Sequence, residues 1–126
     1  MNSRGSTDSL RKNTDTMATE SLDLHEMQAA AERACDLMKV LNNPDRLLIL
    51  CQLSQQEMSV SELEERLGIV QPTLSQQLTV LRKAELVATR REGKKIFYDL
   101  SSVTALAVIN TLYQQFCIRQ STRRKR

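Results

Sequence analysis

A mainly α-helical chain with one small β-hairpin is the fold class this sequence predicts, and three observations carry that prediction. Aromatic residues make up only 3% of the 126 positions, so the core must come from Leu, Val, Ile, Ala and Met, which suits helices packed on helices. Apolar residues recur at helical spacing in several separate stretches. Residues 86–91 and 94–100 break that rhythm: they are two β-prone runs around Glu92-Gly93, where a Gly supplies a tight turn. The length suits one domain, placed at 21–118. Before it, residues 1–20 are polar and read as a disordered N-terminal segment. After it, residues 119–126 form a basic C-terminal tail.

The elements follow in order. Asp23 and Glu26 make a capping-box pattern ahead of a stripe of Leu24, Met27, Ala31, Ala34, Met38 and Leu41. Cys35 lies at the edge of that stripe and reads as a packing residue. Asn42-Asn43-Pro44 ends this helix and starts the next, with Pro44 at its first position. Residues 58–60 fit a short strand. Ser61 and Glu64 make a second capping box for a short helix that Gly68 terminates. A further helix follows within a few residues, which is helix-turn-helix spacing. Ser101 is placed to cap a last helix through Val103, Leu106, Ile109, Leu112, Tyr113 and Phe116.

The second helix of the helix-turn-helix has two unlike faces. Leu74, Leu78 and Leu81 would anchor it, and Pro72 suits its first turn with Gln71 at the cap. Opposite lie Thr73, Gln76, Gln77 and Arg82, where a bland surface helix would more often carry Glu and Lys. Neutral hydrogen-bonding groups suit base edges in a major groove. The net charge of +3 hides a sharper pattern: residues 21–118 carry −2, whereas 71–95 alone carry +4. One basic face on an acidic body is what a domain tracking DNA phosphates would show. The cationic hairpin then reads as a wing, and the whole as a winged helix-turn-helix with additional N- and C-terminal helices. On this reading Gln71, Thr73, Ser75, Gln76 and Gln77 contact bases or neighbouring phosphates, while Arg90, Arg91, Lys94 and Lys95 hold the backbone or enter the minor groove. The terminal helices carry apolar stripes that a partner copy would cover, so a homodimer is expected. Two-fold pairing would set two reading helices one DNA turn, about 34 Å, apart.

Other classes fit poorly. No apolar run approaches the roughly 18 residues of a membrane span, and the first ten residues lack the apolar centre of a secretory signal. A cytoplasmic protein with no membrane partner is therefore expected. An enzyme is not expected, because His25 is the only His and forms no evident dyad with a Cys. The three glycines build no phosphate loop.

The run 41–47 (Leu-Asn-Asn-Pro-Asp-Arg-Leu), then 59–63, 71–78, Leu81-Arg82, Leu86-Val87, 90–93 and Ile96-Phe97-Tyr98, resembles the arsenic-repressor/SmtB (ArsR-type) family of bacterial winged-helix repressors over roughly residues 25–118. The resemblance implies a homodimer paired through its first and last helices, binding double-stranded operator DNA until an inducer releases it. Metal sensing in that family uses a Cys pair before the reading helix or Asp and His on the last helix. Residues 61–67 contain no Cys, and 101–118 contain no His, Asp or Glu. No metal site and no cofactor are expected.

Cys51 and Cys117 remain. Taken alone, each reads as a small buried hydrophobe. Their settings, Leu50-Cys51-Gln52-Leu53 and Phe116-Cys117, resemble the sulfide-responsive BigR and SqrR branch and the related HlyU regulators. That resemblance implies a dithiol switch in which the two cysteines react with persulfide or other sulfane sulfur, forming a disulfide or polysulfide bridge that weakens operator binding. A bridge closing so long a loop is worth ~4 kcal/mol in the chain-entropy model, ample for a change in DNA affinity of about 10–100-fold. The other reading left open is a winged-helix repressor answering to peroxide, a metal ion or a small ligand.

Overall fold

A computed structural model describes residues 23–118. The expectations for the N-terminal segment 1–20 and the basic tail 119–126 lie outside the described residues. The chain divides into two compact units, one ending at Leu37 and the other beginning at Met38. Helix α1 (Leu24–Leu41) runs through the boundary. It starts where the sequence places it: Asp23 Oδ1 accepts from the Glu26 amide at 2.9 Å. Its stripe residues Leu24 and Met27 are exposed. Cys35 is exposed as well, so within this single chain it is not the packing residue expected.

The second unit holds every remaining element. Helix α2 (Pro44–Leu53) has Pro44 in its first turn and is capped by Asn43, whose Oδ1 accepts from the Arg46 amide at 2.9 Å. Strand β1 (Met58–Ser59) leads into α3 (Val60–Leu67), which Gly68 ends in the left-handed conformation at φ +70°. Helix α4 (Thr73–Lys83), strands β2 (Val87–Glu92) and β3 (Lys95–Leu100), and helix α5 (Val103–Tyr113) follow. A π-helical turn (Gln114–Ile118) continues α5. The core is aliphatic, as the scarcity of aromatics requires: Ile49, Leu50 and Leu53 of α2 are buried, as are Leu63, Leu74, Leu78, Leu81 and Ile109.

The three strands form one antiparallel sheet in the order β1-β3-β2. Met58 pairs with Tyr98 and Ser59 with Phe97, so the short strand is stitched onto the hairpin. A mainly helical winged helix-turn-helix is thus the observed architecture.

Four local expectations need correction. The capping box of α3 is Ser59 with Glu62, not Ser61 with Glu64: Ser59 Oγ accepts from the Glu62 amide at 3.2 Å, and Glu62 Oε1 accepts from the Ser59 amide at 2.9 Å. Both pairs match the pattern, but pairing of Ser59 with Phe97 ends the strand there and sets the first helical residue. The cap of α5 is Ser102, accepting from the Ala105 amide at 3.1 Å. The amides of Ser101 and Ser102 both donate to the Leu86 carbonyl, at 2.9 and 3.3 Å, which fixes the chain entering α5. The hairpin turn is Gly93-Lys94, since Glu92 pairs with Lys95. That puts Gly93, at φ +65°, first of the two turn residues, where a positive φ is needed. Finally, Pro72 precedes α4 at its N-cap position and Gln71 lies one residue further out.

Candidate DNA interface and dithiol cleft

The reading helix is seated by Leu74, Leu78 and Leu81, all buried, which leaves Gln71, Ser75, Gln76 and Thr79 exposed. Gln71 does cap the helix, but from outside the usual place: its Oε1 accepts from the Ser75 amide at 3.0 Å and from Ser75 Oγ at 2.7 Å. These two expected contact residues are therefore linked to one another, with the Gln71 amide nitrogen left outside those bonds. Thr73 is half-buried. Gln76 has the most open setting of the group, exposed and with no side-chain bond among the described residues.

Gln77 differs. It is half-buried, and its Oε1 accepts from Arg46 Nη1 at 2.8 Å. Arg46 also donates through Nε to the Val40 carbonyl at 2.6 Å and through Nη2 to the Lys39 carbonyl at 3.4 Å. One α2 side chain thus ties the chain just before α2 to the reading helix. In the sequence Arg46 stands out only as part of the family-like run 41–47, because nothing at positions 46 and 77 announces a contact between them.

On the hairpin, Arg91, Lys94 and Lys95 are exposed. Arg90 is engaged: Nε and Nη2 donate to the two Glu57 carboxylate oxygens at 2.8 and 2.9 Å, and its guanidinium lies 4.5 Å from the Phe97 ring centroid. The hydrogen bond from Arg90 holds the Glu57 carboxyl below its ordinary value of 4.5, outweighing desolvation. A bidentate pair stacked on an aromatic face braces the wing against the loop before β1.

The two cysteines meet at a separate place. On α2, Pro44, Leu47, Leu48 and Cys51 follow i, i+3, i+4, i+7 spacing and form one wall of a cleft. Ile109, Leu112, Tyr113, Phe116 and Cys117 form the other wall with the same helical rhythm. The cleft encloses about 370 Å³ and both cysteines line it. Cys51 is half-buried and Cys117 exposed, and both are free thiols. Burial pushes the Cys51 thiol above its ordinary value of 9.0, and the charge of neighbouring Cys117 adds in the same direction. Cys117 sits on the π-helical turn, whose wider winding re-aims its side chain relative to an uninterrupted α-helix. The aliphatic lining of this cleft was legible as helical periodicity. That two sulfurs share it was implied only by the family resemblance.

Among the described residues, no three His, Cys, Asp or Glu side chains gather as a metal site. None of the described helices is long and apolar enough to cross a membrane.

A helix-turn-helix with an exposed polar reading face, followed by a cationic wing, defines a DNA-binding transcriptional regulator of the winged-helix class. The chain belongs to the arsR family of bacterial regulatory proteins. Residues 43–89 match that family's model. The biofilm growth-associated repressor of Agrobacterium fabrum is 48% identical over 109 residues, covering 82% of this chain and 93% of the relative. The crystal structure of the transcriptional repressor BigR from Xylella fastidiosa superimposes with a TM-score of 0.70 at 46% identity, over 76% of this chain and 98% of that one. Reduced HlyU from Vibrio cholerae superimposes with a TM-score of 0.72 at 44% identity, over 75% and 99% of the two chains.

Proposed function

We propose that this protein is a dithiol-based transcriptional repressor of the bacterial cytoplasm, a homodimer that binds operator DNA when reduced and lets go when Cys51 and Cys117 are bridged. The observation that carries this reading is the shared cleft: two cysteines far apart in the chain line the same small apolar space. The repressor names of the Agrobacterium and Xylella relatives favour the same direction of control.

The chemistry needs an oxidised sulfur donor, such as a low-molecular-weight persulfide R–S–SH. A thiolate of the pair attacks the outer sulfur, the S–S bond joining it to the RS group breaks, and RS⁻ departs, becoming RSH once protonated. The second cysteine attacks the protein persulfide and expels hydrogen sulfide, leaving a Cys51–Cys117 disulfide. Two thiols and one persulfide thus become one disulfide, RSH and hydrogen sulfide, with two electrons passing from the thiols to the donor. Capture of further sulfur atoms would leave a polysulfide bridge.

Release follows from what each cysteine is attached to. Cys51 belongs to α2, which also carries Arg46 and so reaches Gln77 of the reading helix. Cys117 extends α5, where Val103 is 82% exposed, and Phe116 beside it is 65% exposed. Such apolar exposure suits a subunit interface. Joining the two would couple the reading helix to the dimer seam. Gln71, Thr73, Ser75 and Gln76 would face the major groove, and Arg91, Lys94 and Lys95 the phosphates and minor groove, with Gln77 held by Arg46 and Arg90 by Glu57 in the free protein.

The test is a gel shift on the protein's own promoter with glutathione persulfide. Reduced wild type, Cys51→Ser and Cys117→Ser should all bind, and persulfide should release the wild type alone. Release of Cys51→Ser by persulfide would end the proposal.

A further inference from the structure

We propose that the cleft between α2 and α5 is a binding site for uncharged organic polysulfanes, molecules of the form R–S–S–S–R with short hydrocarbon R groups, and selects them over charged sulfur donors. This rests on the dithiol reading and names the reagent the site would prefer.

Three features of the cleft point there. Apart from the two thiols, its walls carry no titratable side chain except the Tyr113 phenol, and Leu47, Leu48, Leu112 and Phe116 supply hydrocarbon on both sides. A carboxylate or ammonium entering it would shed water and find no charged partner among the described lining residues. The volume, about 370 Å³, falls within the span of small-ligand pockets. The third feature is the pair of sulfurs, which marks the occupant as thiol-reactive and not merely apolar.

Exposure sets the order of events. Cys117 is open to solvent, while Cys51 sits half-buried against the α2 wall. The Cys117 thiolate attacks an outer sulfur of the trisulfide. The adjoining S–S bond breaks, RSS⁻ leaves, and Cys117–S–S–R remains. Cys51 then attacks the Cys117 sulfur and expels RS⁻. The protons lost by the two thiols go to RSS⁻ and RS⁻. One trisulfide and two thiols become one protein disulfide, RSSH and RSH, the trisulfide accepting two electrons. Conversion of Cys117 to the mixed disulfide removes its charge, one of the two causes that hold the Cys51 thiol up, and so favours ionisation of Cys51 for the second step.

The experiment treats the reduced full-length protein with dipropyl trisulfide and with glutathione trisulfide. Bridge formation is followed by intact mass and peptide mapping, and each rate is divided by that reagent's rate with N-acetylcysteine. The normalised rate should be about tenfold or more higher for dipropyl trisulfide, because only its groups suit the walls. Leu48→Lys, at an exposed position on the cleft, should erase most of that preference, and Leu48→Gln should lower it less. Equal normalised rates with the bridge still formed would overturn the selectivity while leaving the dithiol switch standing; a second copy's side chains filling the cleft would give that result. A preference unchanged in both Leu48 variants would overturn it too. Failure of both reagents to join Cys51 to Cys117 would overturn the dithiol reading itself.

Discussion

Cys51 and Cys117 share a cleft but not an environment, and that asymmetry is measurable. Because burial and its neighbour raise the Cys51 value, the midpoint of its ionisation lies above the ordinary 9.0 and its thiolate is a small fraction at neutral pH. Iodoacetamide should therefore label Cys51 more slowly than exposed Cys117 at neutral pH, and labelling of Cys51 should keep accelerating past pH 9.0. Peptide mass mapping across a pH series reads both. The DNA face offers a second residue-scale contrast. Gln76 is exposed with its amide free for a base edge, so Gln76→Ala should cost about 1–3 kcal/mol on the preferred site and little on others. Lys94 is an exposed cation at the turn, so Lys94→Ala should weaken all sequences alike and lower the salt slope by about one. Titrations at several salt concentrations separate the two. Side-chain chemistry made these positions candidates, but Gln77 and Arg90 qualified equally and are each engaged with a protein partner, Arg46 and Glu57.

At the scale of elements, helix ends show what local sequence can and cannot say. Gly68 ends α3 at φ +70° with open space around its missing side chain, so a substitution there meets backbone strain alone. Glu85 follows α4 at φ +62° with no glycine to ease it. Its amide donates to the Arg82 carbonyl, and the Leu86 amide reaches back to Leu81 at 3.0 Å, which holds the left-handed turn in place. Gly68→Ala should therefore lower stability by about 1 kcal/mol, and Glu85→Gly should raise it by up to about 1 kcal/mol. Chemical denaturation should give opposite signs for the two. Element type and order were readable from period and turn residues, as were Asp23 at the start of α1 and Gly68 at the end of α3; the N-caps of α3 and α5 were read a residue or two off. Ser59 and Ser61 are alike as sequence, and so are Ser101 and Ser102. For α3 the choice is decided by the pairing of Ser59 with Phe97, a contact with a distant segment.

For the whole molecule, the uncovered hydrocarbon is the feature that asks for a second copy. Leu24 and Met27 on α1 are exposed in the single chain, and so are Val103 and Leu106 on α5. Sedimentation equilibrium should find a dimer for the intact protein. The double substitution Val103→Glu with Leu106→Glu should shift it to monomer and weaken operator binding about tenfold or more, since each half-site would then be held alone. Dimerisation would also place the dithiol cleft next to the seam that its bridge is proposed to adjust.

By itself the sequence determined the fold class, the element order, the aliphatic core and the two DNA-facing elements, because hydrophobic period, turn residues and charge act over a few neighbouring positions. Tertiary structure alone decided that Arg46 reaches Gln77 and that Arg90 pairs with Glu57, and it gave the cleft that Cys51 and Cys117 line, a pairing the family resemblance implied but no local pattern showed. Those are meetings of residues dozens of positions apart, and no local pattern encodes the packing angle that brings two helical faces together.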